Sequence, residues 1–165
     1  MSAGRLQLVE KTFRGSEAAY RRERPMGLVR RLVSKFVSLF VHHLPSWRMR
    51  GPLYRVMGVK LSSDSFVGRE SYLDPEFPEL ITIEDGVTVS ARVIVACHDS
   101  SRDLVAPVRI CAGAFVGTGA IILPGVTIGQ RAVIGAGTVV SHDVEPNQVW
   151  VGSPARTLGS RKPIA

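Results

Sequence analysis

Cysteine and histidine are scarce in this chain. Two cysteines, Cys97 and Cys111, stand apart without a C-x-x-C spacing, and only four histidines occur in 165 residues. That argues against a disulfide framework and against a cysteine-based metal site, and the thiols are expected to be free in a reducing cytosol. No uninterrupted apolar run approaches the ~20 residues needed to cross a bilayer. The opening Met-Ser-Ala-Gly-Arg has no apolar core, so no secretory leader is expected and the protein is read as cytoplasmic. Basic side chains interleaved with aromatics on one face are also missing, which leaves nucleic acid outside the expected partners.

Charge of one sign is unevenly spread. Residues 1–60 hold 13 Lys/Arg against 3 Asp/Glu, a net of +10, whereas residues 61–165 hold 8 against 11, a net of −3. The basic character belongs to the N-terminal part, and the rest is mildly acidic.

What the chain does have is a beat of six. From Ile110 to Glu145 six hexads run end to end, beginning at Ile110, Val116, Ile122, Ile128, Ile134 and Val140. A period of six fits neither the 3.6-residue repeat of a helix nor the alternation of a plain strand, and it predicts a parallel β-helix built from hexapeptide repeats. Three short strands and three corners close a coil of about 18 residues, and coils stack at the ~4.8 Å spacing of neighbouring strands. Gly113, Gly119, Gly125 and Gly137 fall three places after an aliphatic position, where the chain must turn without a clashing Cβ.

The same register extends backwards through Ile83, Val89 and Val95 and through Leu61, Val67 and Leu73. Sorted by face, the columns are Leu61/Ile83/Ile110/Ile128, Val67/Val89/Val116/Ile134 and Leu73/Val95/Ile122/Val140. All are aliphatic, so the fold class is mainly β, a parallel β-helix of about four coils preceded by an α-helical segment. Two excursions break the beat: the spacing is ten from Leu73 to Ile83 and fifteen from Val95 to Ile110. Both leave after the third hexad of their coils, so they are expected to lie one above the other, where function is usually placed.

In chain order, residues 1–24 are expected to be a basic flexible tail or a loosely held helix and residues 25–58 a helical segment. Pro25 can open a helix that runs to about His43, with Leu28, Val29, Leu32, Val33, Phe36, Val37, Phe40 and Val41 on one face. Either this helix caps the open first coil or it lays its apolar face on a membrane; the cap is preferred, because the helix feeds almost directly into coil one. The membrane alternative would put the protein at the inner face of the membrane. Residues 45–60 read as a short second helical turn with Trp47 and Tyr54 as core contacts. The β-helix occupies 59–158, with Val151–Arg156 as a closing turn and 159–165 as a basic tail.

His98 stands three places after Val95, beside the long excursion, and is expected to point outward from a corner where it can act as a general base. The passages Phe115-Val-Gly-Thr-Gly-Ala-Ile-Ile-Leu-Pro-Gly-Val-Thr-Ile-Gly, Ala132-Val-Ile-Gly-Ala-Gly-Thr-Val-Val-Ser-His-Asp-Val and Val151-Gly-Ser-Pro-Ala-Arg resemble the hexapeptide-repeat acetyltransferases, over about residues 59–158. The likeness is to the branch that acetylates sugars and polysaccharides, the maltose/galactoside and colanic-acid types. It implies a left-handed β-helix, a homotrimer with a cleft between neighbouring prisms, and acetyl-CoA as donor, with no metal.

Within that resemblance His98-Asp99 matches the catalytic His-Asp, so His98 is the implied base. Asp99, Asp74 and Phe115 are the implied orienting or acceptor-side positions, Phe115 standing where the family has Trp. Thr118, Ala136, Ser141 and Arg156 fall at CoA contacts. His142 replaces a usual Lys, and Arg161 or Lys162 substitutes for a basic residue that would fall on Gly159. The implied reaction is direct transfer of acetyl to a hydroxyl of a sugar or polysaccharide precursor. Three alternatives stand beside it: N-acetylation of an amino sugar or other amine, a γ-class carbonic anhydrase, and a solenoid scaffold without catalysis.

Overall fold

The structure, a computed structural model, describes residues 14–23, 28–41 and 43–160. Three helices come first: α1 (Glu17–Glu23), α2 (Leu28–Val41) and α3 (Trp47–Met57). Short strands then follow one another around a three-sided column. One face stacks β1 (Lys60–Leu61), β4 (Ile81–Ile83), β9 (Val108–Ile110) and β12 (Thr127–Ile128). A second stacks β2 (Phe66–Val67), β5 (Thr88–Val89), β10 (Phe115–Val116), β13 (Val133–Ile134) and β15 (Gln148–Val151), with β16 (Arg156–Ser160) added antiparallel at its end. The third stacks β3 (Tyr72–Leu73), β6 (Ile94–Val95), β11 (Ile121–Ile122) and β14 (Val139–Val140).

Neighbouring coils pair in parallel, and the register puts Leu61, Ile83, Ile110 and Ile128 in one file. Val67, Val89, Val116 and Ile134 form the second, and Leu73, Val95, Ile122 and Val140 the third. Every one of these side chains is 7% exposed or less. The column continues further than the hexads do. Trp150 pairs with Ile134 and Val144 bridges to Ile128, so a partial fifth coil stands where the sequence pattern fades.

The core also has a second inner position that the six-residue beat alone does not announce. Two places before each aliphatic another side chain points inward, as strand alternation requires. Upper coils put Ala114, Ala120 and Ala132 there and lower ones Val87 and Val93, all at most 1% exposed. Where that position is polar, its hydroxyl is paired: Ser71 Oγ donates to the Ser90 carbonyl at 2.9 Å.

Corner geometry divides the glycines into two kinds. Gly119 sits at φ 70° with open space around an added Cβ, and the same turn position holds Arg92 (φ 60°) and Arg131 (φ 57°) in other coils. Gly117 is different, since a Cβ there would come within 2.6 Å of the Ala136 backbone nitrogen in the next coil.

The N-terminal segment departs from expectation at three points. Residues 45–60 are not a single turn, because α3 is an 11-residue helix closed by Gly58 at φ 117°. It is α3, and not the longer α2, that caps the first coil. Tyr54 and Met57 are fully buried on it, the Arg55 guanidinium donates to the Leu61 and Ser62 carbonyls at 2.8 and 2.9 Å, and the Tyr54 hydroxyl donates to the Ser71 carbonyl at 3.2 Å. Those are the edge carbonyls that no further coil would satisfy. Burial pushes the Tyr54 hydroxyl up to about 12, so it remains a donor. Last, residues 14–23 are docked and carry α1, as described below. At the other end of the chain, Gly159 and Ser160 belong to β16 rather than to a free tail. Pro25 lies outside the described residues.

Gly117→Ala should cost more stability than Gly119→Ala. The first meets backbone, whereas the second pays only the left-handed strain of about 1–2 kcal/mol. Urea unfolding of the two variants measures the order directly.

Candidate active site

Both excursions leave the column at one corner, after β3 and after β6, and they touch. The first carries Asp74 and a 3-10 turn, Pro78–Leu80. In the second, the Ala96 N–H still bonds to the next coil at 3.0 Å, then the chain folds out as an antiparallel hairpin of β7 (His98–Asp99) and β8 (Leu104–Val105). His98 therefore begins a strand and does not occupy a turn. The left-handed corner position that the six-residue count assigns to it is lost where the chain departs from the coil.

Asp74 is fully buried, and each of its oxygens is engaged. Oδ1 accepts the Glu76 N–H at 3.0 Å, and Oδ2 accepts the Cys97 N–H at 2.9 Å and stands 2.6 Å from His98 Nδ1. A carboxylate already held by backbone donors presents an acceptor to the ring, so Nδ1 donates to it and Nε2 is the nitrogen left for chemistry. The His98 side chain is 30% exposed. Asp99 takes no part in this: it accepts from the Ser101 N–H and hydroxyl, and the hydroxyl chiefly holds its carboxyl below the usual range. The sequence offers Asp99 as the orienting group and Asp74 on the acceptor side, but the aspartate that meets the imidazole is Asp74, 24 residues away in the chain.

Around this pair lie residues that sequence reasoning did not single out. The Phe77 ring stands 5.6 Å from the imidazole and the Tyr20 ring of α1 meets Phe77 edge-on at 5.5 Å. The Tyr20 hydroxyl donates to buried Glu79 at 2.9 Å, and the Arg21 guanidinium lies 5.2 Å over Phe77 while pairing with Glu17 and Glu76. Gly15 exchanges two hydrogen bonds with Val105, of 3.1 and 2.7 Å, adding an edge to the hairpin. The segment 14–23 thus straps the two excursions together. Nothing in its composition beyond one tyrosine among arginines could have signalled that.

Cys97 adjoins His98 but is a poor nucleophile. It is fully buried, and burial together with the nearby Asp74 charge pushes its thiol well up. A small opening lined by Glu17, His98, Asp99, Ser100, Asp103 and Leu104 leads to the imidazole.

The remaining candidates lie elsewhere on the column. Thr118 and Ala136 stack on the corner between the second and third faces, where the Gly137 N–H donates to the Thr118 carbonyl at 2.8 Å. Both are exposed, and space is open beside Gly119 and Gly137. Ser141 and His142 share the corner of Asp74 and His98 but sit in the last full coil, with Ser141 Oγ 2.9 Å from His142 Nδ1. Arg156 is exposed at the start of β16, and Phe115 is 40% exposed on the outer side of β10. The chain brings Asp74 to His98 and Thr118 to Ala136, but it does not gather these two pairs into one cavity. Arg161 and Lys162 lie outside the described residues.

Comparison with known proteins agrees with the repeat. Residues 107–142 match the family model described as bacterial transferase hexapeptide (six repeats). A Schizosaccharomyces pombe protein provisionally named an acetyltransferase is 52% identical over 88 residues, 48% of this chain and 42% of the relative. The galactoside O-acetyltransferase of Escherichia coli is 34% identical over 87 residues, 47% of this chain and 43% of the relative. The chain thus spans about two fifths of the length of the curated relatives it matches. Among solved structures, a galactoside acetyltransferase in complex with coenzyme A superposes with a TM-score of 0.57 at 26% identity, covering 81% of this chain and 82% of that one. The hexads within residues 107–142 are the part of the chain that matches this repeat model.

Tyr20→Phe should lower stability by about 1–3 kcal/mol, because it strips the donor from a carboxylate oxygen that stays buried. Chemical denaturation checks the size, and a variant as stable as the parent would separate α1 from the excursions.

Proposed function

We propose that the chain is an acetyltransferase that moves an acetyl group from acetyl-CoA to a hydroxyl of a sugar or polysaccharide precursor. The observation that carries this reading is the imidazole of His98, 30% exposed as a side chain and fixed at Nδ1 by a buried carboxylate. A base needs a free lone pair held in one direction, and the Asp74 contact supplies that.

The proposed step is direct. Nε2 of His98 takes the proton from the acceptor hydroxyl as its oxygen attacks the thioester carbonyl. The tetrahedral centre then expels the CoA sulfur, and the imidazolium returns the proton to that thiolate. No acyl-enzyme is needed, which agrees with the inert setting of Cys97.

Donor binding falls to the corner of Thr118 and Ala136. Small side chains and open glycines leave room for an extended pantetheine arm to approach backbone groups. Arg156, exposed on β16, is a cation available for phosphate, and Ser141 and His142 are exposed at the other end of the third face.

A homotrimer of left-handed prisms belongs to the same proposal. The outer positions of the second face are Phe66, Thr88, Phe115 and Val133, and those of the third are Tyr72, Ile94, Ile121 and Val139. Phe66, Phe115, Tyr72 and Ile94 are 38–42% exposed. The first face shows Lys60, Thr82, Arg109 and Thr127 instead. Two apolar faces meeting at the Thr118 corner support packing of copies there, and a neighbouring prism would complete the cleft that one protomer leaves open.

Thiol release from acetyl-CoA, measured against a panel of sugars, lipid-linked glycans and amines, tests the reaction. His98→Ala should lower kcat by on the order of 10²–10⁴ while CoA affinity stays within a few-fold, and Asp74→Asn should fall between it and the parent. Equal turnover in His98→Ala would remove the base. Phe115→Arg should shift the light-scattering mass from trimer towards monomer; an unchanged trimer would refute the face assignment.

A further inference from the structure

Helix α2 turns its apolar face outward. Val29, Leu32, Val33, Phe36, Leu39 and Phe40 are 37–75% exposed, and the rings of Phe36 and Phe40 lie 5.1 Å apart on that face. Its opposite side does the packing: Ser34 and Val41 are fully buried, and Ser34 Oγ donates to the Pro75 carbonyl at 2.8 Å. Since α3 already covers the first coil, this greasy face has no capping duty. A contiguous patch of large apolar side chains on a folded surface marks an interaction site.

The net charge of the segment identifies the occupant. The helix carries Arg30, Arg31 and Lys35 and no acidic residue, within a 60-residue segment of net charge +10. Docking a second copy on this face would bring two such acid-free cationic helices together, whereas an anionic bilayer supplies the opposite charge. Fourteen residues rise only about 21 Å, and among the described residues no helix is long and apolar enough to cross a membrane. A helix of that length with one apolar face lies in the plane of the interface.

We propose that α2 seats the protein on the surface of an anionic lipid bilayer. Lys35 also bonds Glu76 at 2.5 Å, so α2 grips the excursion that holds Asp74 and Phe77 beside His98. Resting on the transferase reading for this one consequence, the seat places the imidazole next to the lipid surface, and the acceptor class it fits is a glycan carried on a lipid.

Sedimentation of the full chain with vesicles of phosphatidylcholine alone, or mixed with phosphatidylglycerol, tests the seat. The protein should pellet with the anionic vesicles, less with the neutral ones, and less in high salt. Phe36→Glu combined with Leu39→Glu should reduce binding by on the order of 10-fold or more. Both side chains are 65% exposed, so the variant keeps its fold, and its mass by light scattering should equal the parent's. Binding no stronger to anionic than to neutral vesicles would overturn the proposal. A drop in particle mass in the double variant would overturn it too, by giving the face to a second copy. His98→Ala should bind vesicles as the parent does, which keeps this result separate from the fate of the transferase reading.

Discussion

Every feature of this molecule depends on a register lock between coils. Each short strand gives its N–H groups to carbonyls one coil further along, on the residue just before the register partner, as in Phe115 N–H to Ala132 and Ile121 N–H to Thr138, both at 2.9 Å. Because the side-chain period is two and the coil period is three hexads, a slip of one residue would turn an entire inner file outward. The aliphatic files and the close-packed alanines beneath them therefore specify one alignment. The site inherits its precision from that alignment: Asp74 and His98 come from different coils and meet only because Leu73 and Val95 are neighbours in register.

Most of the architecture was legible because it is periodic. The beat of six named the twelve aliphatics of the three files and put the two excursions at the same corner. Periodicity could not reveal what departs from it. His98 sits where the count gives a turn, yet the chain has left the coil there and runs as a hairpin strand. The last coil loses its hexad pattern at Pro146, although Trp150 still pairs with Ile134 and is followed by β16.

The candidate site was legible in part. The histidine could be picked out because so few exist and because it borders an insertion. Its carboxylate partner was harder to choose, since Asp99 is adjacent in the chain and Asp74 adjacent only in space. The strap of α1, with Tyr20 on Phe77 and on Glu79, left no trace in periodicity, for its contacts reach from residue 20 to residues 77 and 79 without any repeat. The role of α3 was misjudged for a similar reason. Its apolar pattern is weaker than that of α2, and its capping work is done by the Arg55 guanidinium and the Tyr54 hydroxyl rather than by a greasy stripe.

The treatment of the first coil bears on assembly. Stacked parallel strands are a template that extends itself wherever a bare rung remains, and fibrous aggregates grow in that manner. Here the lower rung is chemically quenched by a guanidinium and a phenol, while on the second face the upper rung meets a strand of opposite direction, β16. Top and bottom therefore do not fit one another, and the column is a finite object that cannot polymerise head to tail.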